Sequence, residues 1–187
     1  MKKDGKVEFK PTNDEPIRVF PLKDNKVKGA LEIYQMPEFD KSGKVYRDRY
    51  IVGHDPVDSD VSGTMSLSST FVLDLYTDKI VAEYTGRSEF ADDNFEKLRL
   101  LCIFYNAKCL YENNLKGVYS YFSRFNCTHM LADTPEYLRD KQLIKSSGWG
   151  NASKGVTATA AINNYANELI KAWLLKPVPT IVEDAEG

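Results

Sequence analysis

Apolar and polar positions change period along this chain, and the changes mark out its elements. ALEIYQM (30–36) alternates with period two and is stopped by Pro37, which predicts a strand. A turn-rich DKSG (40–43) separates it from a second strand at RYIV (49–52). STFVLDLY (69–76) is dense in β-branched and aromatic residues, and Thr77–Asp78 separates it from KIVAEYT (79–85), which predicts a hairpin. Ser88 is the expected N-cap of a helix over 89–106, because Phe95, Leu98, Leu101, Cys102 and Tyr105 recur at helical spacing. KCLYE (108–112) reads as a short strand, and Leu115, Val118, Phe122 and Phe125 as the stripe of a second helix over 115–125. HMLAD (129–133) reads as another strand, ended by Thr134–Pro135, with Pro135 able to open a short helix. KSSGWGNASKG (145–155) is a loop by composition, and Ile162, Tyr165, Leu169 and Trp173 then predict a helix of about four turns.

Three consecutive strands followed by a helical crossover to a parallel strand predict an α/β fold. Its mixed sheet is flanked by helices, in the ribonuclease H-like order. Residues 1–28 are polar, with Pro11, Pro16 and Pro21, so residues 1–44 read as an arm with one strand and 45–187 as the globular domain. With 42% hydrophobic and 12% aromatic residues, wholesale disorder is excluded. No apolar run reaches the roughly 18–20 residues of a membrane span, and MKKDGKVEFKP has no signal-peptide core. Cys102, Cys109 and Cys127 form neither a CxxC pair nor a disulfide framework, so they are expected to be reduced, as in a cytoplasm. The net charge of −2 decides nothing about partners, although residues 1–28 carry eight Lys/Arg against five acids.

Candidate chemistry enters with the carboxylates. Ligands gather at the carboxyl ends of parallel strands, and Asp55 lies just past the strand 49–52 while Glu112 ends 108–112. If those strands are parallel neighbours the two acids meet, and paired hard oxygens on rigid strands suit Mg²⁺ or Mn²⁺. The structural alternative is that each is a turn or cap residue, which the flanking Gly53–His54 and Asn113–Asn114 would also accommodate. Asp58 and Asp60 read as loop acids, with Asp60 a lesser candidate ligand; Asp74, mid-strand in the hairpin, is another. His54 neighbours Asp55 but belongs to the opposite face, and His129 has no partner at zinc spacing. No nucleophile elbow and no P-loop is present. In the glycine-rich loop, Trp149 with Lys145 and Lys154 offers an aromatic and two cations to a nucleic acid, with a plain surface loop as the alternative. Arg87, Lys116 and Lys154 are the basic residues expected near the mouth of the carboxylate site.

RYIVGHDPVDSD, FVLDLYTDKIVAEYTGR, YNAKCLYENNLKG and LADTPEYLRDK together resemble the nuclease domain of tailed-phage large terminase subunits, over about residues 45–175. The resemblance implies a ribonuclease H-like, Mg²⁺/Mn²⁺-dependent endonuclease that cuts double-stranded DNA by two-metal hydrolysis during genome packaging. It implies that Asp55 in GHDP and Glu112 in YENN are the metal ligands. It also implies action in the host cytoplasm, with the portal, the small terminase subunit and an ATPase domain as partners in the motor. The sequence departs from the family pattern at the third carboxylate, expected on a C-terminal helix, since Glu183 and Asp184 lack helical context. The expectation is therefore a nuclease domain short of its C-terminal end or with a substitute in its tail. A non-catalytic DNA- or portal-binding module and another ribonuclease H-like nuclease, such as a junction resolvase, remain open alternatives.

Overall fold

Pairing register builds the sheet around the hairpin. A computed structural model describes residues 2–3, 6–22, 26–57, 66–144 and 154–177. Two short strands, β1 (Lys2–Lys3) and β2 (Lys6–Val7), pair with each other near the N-terminus. The main sheet comprises β3 (Leu31–Ile33), β4 (Tyr50–Asp55), β5 (Ser68–Asp74), β6 (Lys79–Gly86) and β7 (Lys108–Tyr111), in the spatial order β3-β6-β5-β4-β7. β4, β5 and β6 run antiparallel in succession, and β7 joins β4 in parallel. This is the mixed, helix-flanked α/β sheet expected from the sequence. The predicted arm strand is part of it: β3 pairs antiparallel with β6 and forms one edge.

Alternation then assigns the faces. Tyr50, Val52 and His54 of β4 share a face with Thr70, Val72 and Asp74 of β5 and with Cys109 and Tyr111 of β7. Helix α1 (Ala91–Phe104) covers this face, burying Phe95, Leu98, Leu101 and Cys102, with Tyr105 just past its end. These are the five residues of the predicted stripe. Each such buried aliphatic or aromatic side chain contributes about 1.5–3 kcal/mol over leaving it in water. The Tyr105 hydroxyl donates to the Gln35 carbonyl at 2.7 Å, tying the helix end to the segment after β3. All three cysteines are buried free thiols.

Helix α2 (Gly117–Arg124) packs on α1 through Val118, Tyr121 and Phe122, while Leu115 and Phe125 of the predicted stripe are exposed. The helix is shorter than its pattern, so the two end positions fall outside the buried face. Ser88 is not the cap of α1: Phe90 occupies that position, and the Ser88 hydroxyl accepts from Lys97 instead. The strand predicted at 129–133 also differs. Thr128–Met130 is a 3-10 turn, and pairing beyond it is reduced to single bridges, Leu131 with Cys109 in parallel and Asp133 with Lys154. Pro135, which lacks an amide hydrogen, precedes the short helix α3 (Glu136–Asp140) as its cap.

Helix α4 (Ala160–Leu174) starts where the Thr159 hydroxyl accepts from the Ile162 amide. It begins beside Asn114, whose side chain accepts from the Ala158 amide, and ends at the β5–β6 turn. There Trp173 Nε1 and Lys176 Nζ both donate to Asp78. Only Ile162 of this helix is buried, so α4 is attached at its two ends more than along its length. Among the described residues no helix is long and apolar enough to cross a membrane.

Candidate metal and nucleic-acid site

Two adjacent parallel strands bring the main candidates together. The β4–β7 register runs from Ile51 beside Lys108 to His54 beside Tyr111, so the next step sets Asp55 beside Glu112. The Glu112 amide donates to the His54 carbonyl at 3.0 Å, which carries the ladder one residue past β7. Alternation places both side chains on the face opposite Val52 and Cys109, away from α1.

Electrostatics report the same proximity. Burial raises the pKa of the Asp55 carboxyl. Burial, and then the negative charge of Asp55, raises that of Glu112. A carboxylate whose ionisation a neighbouring carboxylate opposes gains from a cation shared by the two. This donor set of hard oxygens at rigid strand ends fits a divalent ion such as Mg²⁺ or Mn²⁺, with water or phosphate completing the shell. Among the described residues, no group of three or more His, Cys, Asp or Glu stands where it could hold a metal ion. Asp55 and Glu112 are the two carboxylates that the register brings together there.

A polar lattice, not recognised as such in the sequence, supports Glu112. Asn113 and Asn114, which in the sequence only flank Glu112, bind the segment 154–158. Asn113 donates to the Lys154 carbonyl at 2.6 Å and accepts from Thr157 Oγ1 at 2.7 Å. The Val156 amide donates to the Tyr111 carbonyl, and the Asn113 amide to the Val156 carbonyl. Gly155 sits between them with φ +76°, and an added Cβ would lie 2.5 Å from the Tyr111 carbonyl oxygen. Thr134 Oγ1 donates to the Gly155 carbonyl at 2.6 Å. The recurrent Asn, Thr and Gly around 113 and 155 are the signal in the sequence, but only their meeting reveals what they bind.

Two cavities flank the carboxylates. One of about 260 Å³ is lined by Glu112 together with Leu110, Ile162, Asn163 and Ala166, so α4 forms its wall. The other, about 470 Å³, is lined by Asp55 with Ser66, Thr85 and residues 17–20 of the arm.

The remaining candidates fall elsewhere. Asp74 is a correction: it lies opposite Tyr50, at the far end of β4 from Asp55 and on the other face. Its fully buried carboxylate takes both Nε and Nη2 of Arg49 and the Tyr76 amide. That pair consumes its hydrogen-bonding capacity, so the structure does not bring it to the site. His54 is buried on the α1 face, with Nδ1 2.9 Å from Thr70 Oγ1 and Nε2 without a partner among the described residues. Burial lowers its pKa to about 4. Lys154 is held by Asp133 at 2.7 Å and by the Leu131 carbonyl at 3.0 Å, anchoring the 154–158 segment. Arg87 is half-buried, its amide bonded to the Val27 carbonyl, and Lys116 is exposed at the start of α2. His129 lies in the 3-10 turn. Asp58, Asp60, Lys145, Trp149, Glu183 and Asp184 lie outside the described residues.

Comparisons with known proteins add a weak structural likeness. No protein-family model matches the chain, and no curated protein does. Among solved structures, the large terminase nuclease from thermophilic phage G20c is similar at a TM-score of 0.39 and 14% identity. The likeness covers 52% of this chain and 47% of that one, so it spans about half of each.

Proposed function

We propose that the chain is a divalent-metal-dependent endonuclease domain cutting double-stranded DNA, the nuclease part of a phage genome-packaging motor acting in the host cytoplasm. The observation that carries the reading is the parallel register setting Asp55 beside Glu112 on the face of the sheet opposite α1. Asp55 and Glu112 would hold Mg²⁺ or Mn²⁺, which when bound activates water and stabilises the leaving oxygen in phosphodiester hydrolysis. The chain's own part is placement. β4 and β7 fix the two carboxylates, and the lattice from Asn113 to Gly155 holds the backbone beside Glu112. Double-stranded DNA would approach across the open face, and the portal, small terminase subunit and ATPase domain would be partners of the assembled motor.

Plasmid nicking in Mn²⁺ tests this reading. The native protein is expected to nick, Asp55→Ala and Glu112→Ala to lose cutting while keeping DNA binding, and equal cleavage by all three sinks the assignment. A second reading, a non-catalytic DNA- or portal-binding module, draws support from the meeting of only two carboxylates among the described residues. Calorimetry separates the two: DNA binding with no uptake of Mn²⁺ favours the binding module.

A further inference from the structure

The N-terminal arm returns to the sheet and contributes one wall of the Asp55 cavity, which is lined by Ile17, Arg18, Val19 and Phe20. Its return is anchored by backbone contacts at the end of β6. The Arg87 amide donates to the Val27 carbonyl at 2.6 Å, and the Tyr84 hydroxyl donates to the Lys28 carbonyl at 2.9 Å. Gly29, at φ +62°, lets the chain pass so close to Thr85 that a Cβ there would lie 2.0 Å from the Thr85 carbonyl oxygen.

Register shows what this placement does to the charge on the open face. Glu32 of β3 lies opposite Glu83 of β6, Glu83 opposite Phe71, and Phe71 opposite Gly53, so Glu32 and Glu83 share a face with Asp55. Glu112 is on that face too. A face bearing four acids repels a polyanion, and directly opposed carboxylates such as Glu32 and Glu83 destabilise their own pairing. The cation the fold delivers at the Asp55 cavity is Arg18, whereas Lys108, beside Ile51 on the same face, stands at the other end of β7. The Arg18 guanidinium binds Glu32, and the same residue lines the cavity that contains Asp55. The Arg18 side chain remains 60% exposed, against 19% for Glu32. Such a surface pair contributes little to stability, so exchanging its carboxylate for another anion costs little.

We infer that Arg18 is a DNA-phosphate contact at the Asp55 cavity, moving its guanidinium from Glu32 to a backbone phosphate when the duplex docks. Arginine's planar fork suits either anion. The inference rests on the nuclease reading above and deepens it by naming the residue that receives the substrate backbone. The opposing possibility is that Arg18 only neutralises the Glu32–Glu83 pair.

Fluorescence anisotropy with a labelled duplex, in Ca²⁺ to limit cutting, separates these. Arg18→Ala is expected to weaken binding about five- to tenfold and to lower the slope of log affinity against log salt by about one. Arg18→Lys should recover part of the loss. Glu32→Gln, which releases the guanidinium, is expected to strengthen binding about two- to fivefold. Arg47→Ala, an exposed arginine preceding the other end of β4, serves as the control and should change affinity less than twofold. The inference is overturned if Arg18→Ala binds within twofold of the native protein with an unchanged salt slope, or if Arg47→Ala loses as much. Mn²⁺ calorimetry on the same proteins keeps the two failures apart. Normal Mn²⁺ uptake with no effect at Arg18 removes only this contact, whereas neither Mn²⁺ nor DNA binding by the native protein removes the nuclease reading as well.

Discussion

The Arg49–Asp74 pair offers a direct test of which acids belong to the site. Asp74 is fully buried and the Arg49 side chain is 11% exposed. Two contacts from Arg49 Nε at 3.1 Å, one from Nη2 at 2.7 Å and the Tyr76 amide at 2.9 Å satisfy the carboxylate. The guanidinium also lies over the rings of Tyr46, Tyr50 and Tyr76, 5.2–5.8 Å from their centroids. Arg49→Ala removes the guanidinium and its contacts, leaving the Tyr76 amide bond but no countercharge for the buried carboxylate, a loss of about 3–5 kcal/mol. For a chain of this length that is a fall in Tm of roughly 10 °C. Asp74→Asn keeps the shape and the Tyr76 bond, and Arg49 can turn toward solvent, so it should cost about 1–3 kcal/mol. Burial pushes the Asp74 pKa up, but Arg49, the Tyr76 amide and Thr77 outweigh it and the net shift is downward. The folded pKa therefore lies below the unfolded one, and the pair's contribution is complete above the unfolded value of 3.8. It is lost as pH falls through the folded value. Thermal melts from pH 7 to pH 3 measure the stability, and Mn²⁺ calorimetry measures the site. Both variants should melt earlier and bind Mn²⁺ as the native protein does. An Asp74→Asn protein with unchanged Tm and no Mn²⁺ binding would refute the reasoning and return Asp74 to the site.

Asp55→Asn should abolish Mn²⁺ uptake while leaving the metal-free stability equal or higher by up to about 1 kcal/mol, because it removes repulsion at Glu112; a large fall in Tm would show that Asp55 is structural. His54 has a folded pKa of about 4 against 6.5 unfolded, so its contribution is complete above 6.5 and is withdrawn as pH falls toward 4. The amount is about 3 kcal/mol, and a His54→Asn protein should show correspondingly less loss between pH 7 and pH 4 in denaturant titrations. Gly155→Ala forces a left-handed position and a clash with the Tyr111 carbonyl, so it should cost about 1–3 kcal/mol and reduce Mn²⁺ affinity through Glu112. Unchanged affinity with lowered stability would separate the lattice from the site.

Much of the architecture is local and was legible. The period-two runs of β4, β5 and β6 and the stripe of α1 state their own buried faces, and the hairpin and crossover rules then determine strand direction. Those rules also carried Asp55 and Glu112, 57 residues apart in the chain, to neighbouring strand ends. Where the pattern was short it failed. HMLAD looks like a strand, but its backbone pairs at isolated points, and the exposure of Leu115 and Phe125 depends on where α2 stops.

Tertiary structure alone decided the contacts between distant polar residues. An aspartate in an alternating strand has no periodic signature separating a metal ligand from half of an ion pair. Register sent Asp74 to Arg49 and Asp55 to Glu112. The asparagines after Glu112 gained a role only when segment 154–158 arrived beside them, and Arg18 only when the arm folded back over the sheet. Hydrophobic periodicity is written locally because burial acts on each side chain separately. Hydrogen bonds and ion pairs need two specific partners at short range, and that proximity comes into being with the fold.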